Sequence, residues 1–197
     1  APSHLRYNVL DMPDEPLDVY DEQGTPTGEV LPRSEIHQRE LWHTVAVVWV
    51  YNSDGDVLLQ HRAAERNGFP NTWDVSASGH VRAGDSVIAS AVRELREELG
   101  IQVKPNEMTE IGRVKDSFLL TYGKMHNEHD VVYLLHRDIN LERLELQSSE
   151  VDGARWMNLR DLAAEMDDPA TRTSYAARNP EVYRLALEAI WNLTAPD

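Results

Sequence analysis

The sequence has 197 residues, of which 41% are hydrophobic and 27% are charged, as is typical of one globular domain. Its 34 acidic and 19 basic side chains give a formal charge of −15, which disfavours a nucleic acid polymer as partner. No apolar run approaches the roughly 20 residues of a membrane span, and the first residues lack a secretory signal, so we expect a cytoplasmic protein that does not enter membranes. The absence of cysteine excludes disulfides, thiolate metal sites and thiol catalysis.

The first eighty residues are dominated by extended segments. Residues 1–16 are rich in proline and acidic side chains, which predicts a flexible tail before a single domain at 17–197. Residues 42–51 (WHTVAVVWVY) are mostly β-branched or aromatic, which predicts a central strand. The other predicted segments here are strands at 17–20, 29–31, 57–62 and 73–78 and turns at 21–24 and 52–56.

Residues 85–99 carry the pattern of an amphipathic helix. Asp85 is the predicted N-cap, and Gly100 suits a left-handed stop. The apolar residues at helical spacing are Ile88, Ala91, Val92, Leu95 and Leu99.

The second half of the chain alternates again between strands and helices. The predicted elements are strands at 110–121, 130–135 and 153–157, a short helix at 159–165, a loop at 167–179 and a final helix at 180–193. This order predicts an α/β layered domain with a mixed β-sheet.

Three glutamates fall on one side of the predicted helix 85–99. At about 100° per residue, Glu94, Glu97 and Glu98 form a patch about 120° away from the apolar stripe. Like charges at these spacings repel, and a divalent cation with oxygen ligands such as Mg²⁺ would neutralise them. The alternative is that they form the solvated face of a surface helix, balanced by Arg93 and Arg96.

The wider pattern favours the metal site. The segment GHVRAGDSVIASAVRELREELGI, from Gly79 to Ile101, resembles the Nudix box at all 23 residues, except that Asp85 stands where the family usually has Glu. The resemblance implies a Nudix-type α/β/α sandwich with a catalytic loop-helix-loop. It also implies binding of Mg²⁺ or Mn²⁺ and hydrolysis of a small organic diphosphate.

The resemblance also assigns roles to residues of this box. Glu94, Glu97 and Glu98, with Gly79, would bind the metal, and Glu94 and Glu97 are candidate catalytic residues, although a glutamate from elsewhere could orient or deprotonate the attacking water. Arg93 would pair with Asp85 to hold the loop, and the shorter Asp would make that support looser.

Beyond the box, residues 17–160 resemble the branch of isopentenyl-diphosphate isomerases and their hydrolase relatives. The motifs are YDEQGTPTGEVLPRSEIHQRELWHTVAVVWV, LLQHRAAER and WDVSASGH. The resemblance implies a second metal site at His37, His43, His80 and Glu128, while His126 occupies the position of a second Glu ligand. The alternative is that these histidines are buried structural residues.

Three arginines match diphosphate-binding positions of that branch. They are Arg33, Arg62 and Arg66, whose guanidinium groups suit phosphate oxygens. The alternative for Arg62 and Arg66 is a surface role beside a loop.

Ser78 distinguishes hydrolysis from isomerisation. The isomerases need a Cys at this position for proton transfer, and a Ser hydroxyl is a far weaker acid. We therefore expect a Mg²⁺-dependent hydrolase acting on a nucleoside, prenyl or similar diphosphate. The alternatives are an isopentenyl-diphosphate isomerase and a catalytically silent ligand-binding module, and the sequence leaves a homodimer open.

Overall fold

Nine strands form one mixed sheet in a computed structural model that describes residues 14–66, 68–120 and 123–194. The strands are β1 Pro16–Tyr20, β2 Pro26–Pro32, β3 Trp42–Tyr51, β4 Val57–Arg62, β5 Trp73–Asp74, β6 Ala77–His80, β7 Met108–Leu119, β8 Met125–His136 and β9 Val151–Met157. The α-helices are α1 Arg33–Gln38, α2 Val87–Leu99, α3 Leu159–Asp167, α4 Pro169–Arg172 and α5 Pro180–Thr194, with 3-10 turns at Pro105–Glu107 and Leu141–Arg143.

Strand β3 is the axis of the sheet. Along one edge it pairs in parallel with β8 over its whole length. Along the other edge it meets three strands in turn, β1 at Trp42, β6 from Val45 to Val48 and β4 at Tyr51. Because β6 occupies the middle of this edge, β3 and β4 separate and the sheet opens beside β6.

Alternation along β3 creates two cores. Val47 and Trp49 face α3 and α5, whereas Val48 and Val50 face α2. Trp49 is fully buried and packs edge-to-face with Tyr183 of α5. Helices therefore cover both faces of the sheet, which confirms the predicted three-layer architecture. Within the described ranges, no helix has the length and apolar character needed to span a membrane.

Helix α2 begins and ends through local interactions. Ser86, and not the predicted Asp85, is the N-cap, because its hydroxyl accepts a hydrogen bond from the Ala89 amide. Gly100 ends the helix with a φ of 72°, as expected for a left-handed stop. The apolar stripe, including Leu95 and Leu99, is buried against the sheet.

Several other segments differ from the predictions. The predicted strand 73–78 is two strands, separated where the Ser76 hydroxyl accepts from Val50 N and donates to Leu58 O. Helix α1 was not predicted, and α4 lies inside the predicted loop 167–179.

The predicted tail also differs at its end. Of residues 1–16, only 14–16 lie within the described part of the chain. There Asp14 accepts from Ser34 N, and Pro16 already belongs to β1. Asp14 and Pro16 are therefore attached to α1 and to the sheet.

Candidate active site

Glu98 lies fully buried beneath β6. Its carboxylate accepts hydrogen bonds from Ser78 N at 3.1 Å, Gln60 Nε2 at 3.1 Å and Arg66 Nη1 at 2.8 Å. The residue thus joins the inner side of α2 to the backbone of β6.

Glu94 lies one helical turn earlier and is also buried. Its carboxylate fits directly against Gly79, where a Cβ atom would overlap it. Arg93 Nη1 lies 2.6 Å from Glu94 Oε1. Any residue larger than glycine at position 79 would therefore displace this carboxylate.

Glu97 differs from these two glutamates. Its side chain is 38% exposed and lies 3.5 Å from a guanidinium nitrogen of Arg93 and of Arg96. Glu150, at the turn before β9, supplies a further carboxylate, and no pattern in the sequence connects it to the box. Arg66 links it to Glu98, with Nη2 lying 3.2 Å from Glu150 Oε2.

The burial of two neighbouring carboxylates changes how they bind protons. Burial and then the Glu98 charge raise the pKa of Glu94 to about 8, against the opposing effect of Arg93. Burial and Glu150 also raise the pKa of Glu98, against Arg66. The neighbouring arginines thus do not fully neutralise these two carboxylates, and carboxylate oxygens are ligands that suit a hard divalent cation.

The predicted pair between Arg93 and Asp85 is not formed, and this prediction was wrong. Asp85 is exposed, while Arg93 turns to Glu94 and donates to the His80 carbonyl oxygen at 2.9 Å. Ser86 is the helix cap, and Arg93 supports β6 instead of the loop.

Four predicted ligands meet on the opposite face of β6. Ring nitrogens of His37, His43 and His80 all lie within 4.8 Å of one another, in an arrangement that could hold a metal ion. Glu128 Oε1 is 3.7 Å from His43 Nε2 and 3.5 Å from His126 Nδ1. The register explains this convergence, because His43 pairs with Glu128 across β3 and β8.

The histidines in this cluster are suited to act as ligands. Burial, followed by the charges of His126 and His43, lowers the pKa of His37 to about 3, and burial also lowers the pKa of His80. The rings of His37 and His80 are therefore neutral at ordinary pH, as metal binding requires. His43 Nε2 is buried and, within the described residues, makes no hydrogen bond.

The three predicted diphosphate-binding arginines have different surroundings. Arg33 is exposed, one helical turn before His37. Arg66 is the counter-ion of Glu98 and Glu150. Arg62 differs from the predicted phosphate-binding role. It is buried, pairs with Asp74 Oδ2 at 2.9 Å and donates to the Gly68 carbonyl, so its guanidinium supports the fold.

Comparison with known proteins identifies the family. The NUDIX domain model matches residues 20–177. The chain belongs to the Nudix family. An uncharacterized Nudix hydrolase of Clostridium acetobutylicum is 35% identical over 161 residues, covering 80% of this chain and 76% of that protein. The chain is accordingly an enzyme of the Nudix hydrolase class.

Two further comparisons give a sequence relative and a structural neighbour of this Nudix domain. An isopentenyl-diphosphate Delta-isomerase of Nocardia farcinica is 31% identical over 171 residues, covering 85% of this chain and 93% of that protein. A crystal structure of a Deinococcus radiodurans protein has a TM-score of 0.66 at 22% identity, covering 87% of this chain and 97% of the other, and shows the same fold.

The first prediction concerns Gly79 of the Nudix box. Gly79→Ala should weaken Mn²⁺ binding at least about tenfold in calorimetry, because the new methyl group displaces Glu94. Gly84→Ala is the control, since a Cβ there meets open space and adds only the strain of a φ of +82°. Equal Mn²⁺ affinity in the two variants would contradict this role for Gly79.

The second prediction concerns Glu94 and pH. Its pKa of about 8 in the folded chain exceeds the ordinary 4.5, so its contribution to stability is complete below pH 4.5 and is lost as pH rises to 8. Between pH 6 and 9, the metal-free wild type should lose on the order of 2 kcal/mol of unfolding free energy relative to Glu94→Gln. Urea unfolding measures this difference, and parallel pH profiles would refute it.

Proposed function

We propose that this Nudix domain hydrolyses a diphosphate linkage in a small organic molecule with the help of Mg²⁺ or Mn²⁺. One observation carries the proposal: Glu94 and Glu98 are buried one helical turn apart beneath β6, Glu94 against Gly79 and Glu98 against Ser78 N, and each has a raised pKa. Two mutually repelling carboxylates lower the stability of a protein unless a cation binds between them. The proposal includes a cytoplasmic location.

The residues of the site divide the chemistry among them. Glu94 and Glu98 would hold the cation, which when bound polarises phosphoryl oxygens and lowers the pKa of water. Glu97, the exposed carboxylate, would orient the attacking water and accept its proton. Arg33, exposed beside the histidine cluster, would bind phosphate oxygens, as its guanidinium geometry suits.

The histidine cluster is proposed as a second metal centre. Neutral imidazoles with one carboxylate form a donor set that suits Zn²⁺ and similar transition metals better than Mg²⁺. His37, His43 and His80 would be ligands, with Glu128 completing the set. The unsatisfied Nε2 of His43 supports this assignment over a purely structural one.

The surroundings of Ser78 disfavour isomerase activity. Its side chain is buried, and its hydroxyl accepts a hydrogen bond from Arg178 Nη2 at 2.6 Å. A hydroxyl covered by a guanidinium group is poorly placed to exchange a proton with a prenyl substrate. Hydrolysis therefore remains the function that the site supports best.

The third prediction tests hydrolysis directly. Glu97→Gln and Glu98→Gln should each lower kcat/KM at least about 100-fold while the fold is retained, because one removes the proton acceptor and the other a metal ligand. Phosphate or monophosphate release is measured over nucleoside, sugar-nucleotide, thiamine and prenyl diphosphates. Glu188→Gln, on the exposed side of α5, is the matched control.

The same panel separates the alternatives. Absence of product from every diphosphate, together with ligand-induced thermal stabilisation, would indicate a binding module. Incorporation of deuterium from D₂O into a prenyl diphosphate without phosphate release would indicate isomerisation.

The fourth prediction concerns the second metal centre. His43→Ala and His80→Ala should each lower the bound transition metal by about one ion per chain in elemental analysis of purified protein, because each removes an imidazole ligand. His136→Ala, on an exposed part of β8, should keep the wild-type content. Unchanged metal content in all three variants would leave the cluster without a metal-binding role.

A further inference from the structure

Arg178 is a buried arginine in the segment before α5. Its Nε lies 2.6 Å from Asp74 Oδ1, and its Nη2 lies 3.0 Å from Asp74 Oδ2 and 2.6 Å from Ser78 Oγ. Its Nη1 lies 4.0 Å from Asp130 Oδ2. One guanidinium group therefore joins β5 to β6, the two strands on either side of the Ser76 break.

Helix α2 holds the same short strand from the opposite face. Glu98 accepts from Ser78 N, and Arg93 donates to the His80 carbonyl. Ser78 is thus fixed by its amide on the α2 face and by its hydroxyl on the α5 face. Gly79 lies between Ser78 and His80, so the contacts on both of these residues fix its position.

The contacts of Arg178 require the fork shape of a guanidinium group. Its guanidinium donates three hydrogen bonds to two different residues, a set of contacts that a lysine ammonium cannot reproduce. Asp74 also accepts from Arg62, and although burial alone would raise the pKa of Asp74, Arg178 and Arg62 lower it to about 2. Asp74 therefore stays charged and keeps its ion pair with Arg178.

The backbone around Arg178 is itself attached to β5. Ala176 N donates to Trp73 O at 2.9 Å, and Trp73 N donates to Ser174 O at 2.9 Å. Arg172 donates to the carbonyl oxygens of Ala176 and Arg178, at 3.3 and 3.1 Å, and its guanidinium lies over the Tyr183 ring. Arg172→Gln therefore removes side-chain contacts within the segment that carries Arg178 but keeps the Arg178 guanidinium, so it is the control for general loosening of that segment.

We propose that Arg178 is a positioning residue for the metal-binding carboxylates, acting through Ser78 on strand β6. This proposal rests on the proposed function, because it concerns the same Glu94 and Glu98 site. Little displacement of β6 is tolerated there, since Gly79 lies directly against Glu94. Loss of Arg178 would release one side of the strand and shift the backbone that Glu94 and Glu98 contact.

The test compares Arg178→Gln, Arg178→Lys and the control Arg172→Gln. Calorimetry with Mn²⁺ follows the binding step that Glu94→Gln removes, and steady-state kinetics give kcat and KM. Arg178→Gln should weaken Mn²⁺ about tenfold and lower kcat about 100-fold with little change in KM, because misplaced ligands reduce the rate more than substrate binding. Arg178→Lys should recover part of both losses, since an ammonium can still pair with Asp74 but cannot also reach Ser78.

A double-mutant cycle identifies the route of the effect. If Arg178 acts through the Ser78 hydroxyl, Ser78→Ala should weaken Mn²⁺ binding by itself. It should then add little in the Arg178→Lys background. Fully additive losses would show that Arg178 acts by another route and would overturn the proposal.

Two other results would show that Arg178 has only a structural role. Wild-type Mn²⁺ affinity in Arg178→Gln, with a loss of stability like that of Arg172→Gln, would make Arg178 purely structural. If Arg178→Gln does not fold, wild-type Mn²⁺ affinity and kcat in Arg178→Lys would have the same meaning. The Mn²⁺ measurements need no turnover, so a wild type without hydrolase activity would refute the proposed function and leave this comparison valid.

Discussion

The mutual repulsion of two buried carboxylates is the constraint on which the site depends. Glu94 and Glu98 lie one turn apart on α2 and face β6, where Arg66 and Arg93 supply their nearest positive charges. A surface helix would have left these side chains in water, where the repulsion is small. Their burial lowers the stability of the metal-free fold, and under the proposed function a bound cation would offset that loss.

Strand β6 lies between the two clusters of candidate metal ligands. Side chains alternate along it, so Gly79 meets the Glu94 carboxylate on the α2 face, while Ser78 and His80, a member of the histidine cluster, lie on the other face. The opening between β3 and β4 leaves room for this strand. A shift of β6 would therefore move both Gly79, next to Glu94, and His80 in the histidine cluster.

Much of this arrangement could be predicted from the sequence because it depends on short-range patterns. The spacing of α2 predicted its apolar stripe and its glutamates, and the run at 42–51 predicted β3 with the observed bounds. The histidines were placed together by family resemblance, and the parallel register of β3 and β8 brings Glu128 to them.

Other features depend on tertiary structure and left no local signal. Arg178 and Glu150 lie in loops far along the chain from the residues that they contact, so no spacing rule connects them to the site. Arg62 has the same residue type as a phosphate ligand, and only burial beside Asp74 reveals its structural role. Asp85 and Ser86 are adjacent residues of types that both favour the N-cap, and only the structure shows that Ser86 has the extended backbone and accepts from Ala89 N.

A crystal structure of the protein soaked in Mn²⁺, with anomalous diffraction, tests the central claim most directly. The account predicts an anomalous peak between the Glu94 and Glu98 carboxylates, with metal–oxygen distances of about 2 Å. Peaks confined to the histidine cluster or to the surface, with Glu94 and Glu98 unliganded, would contradict it.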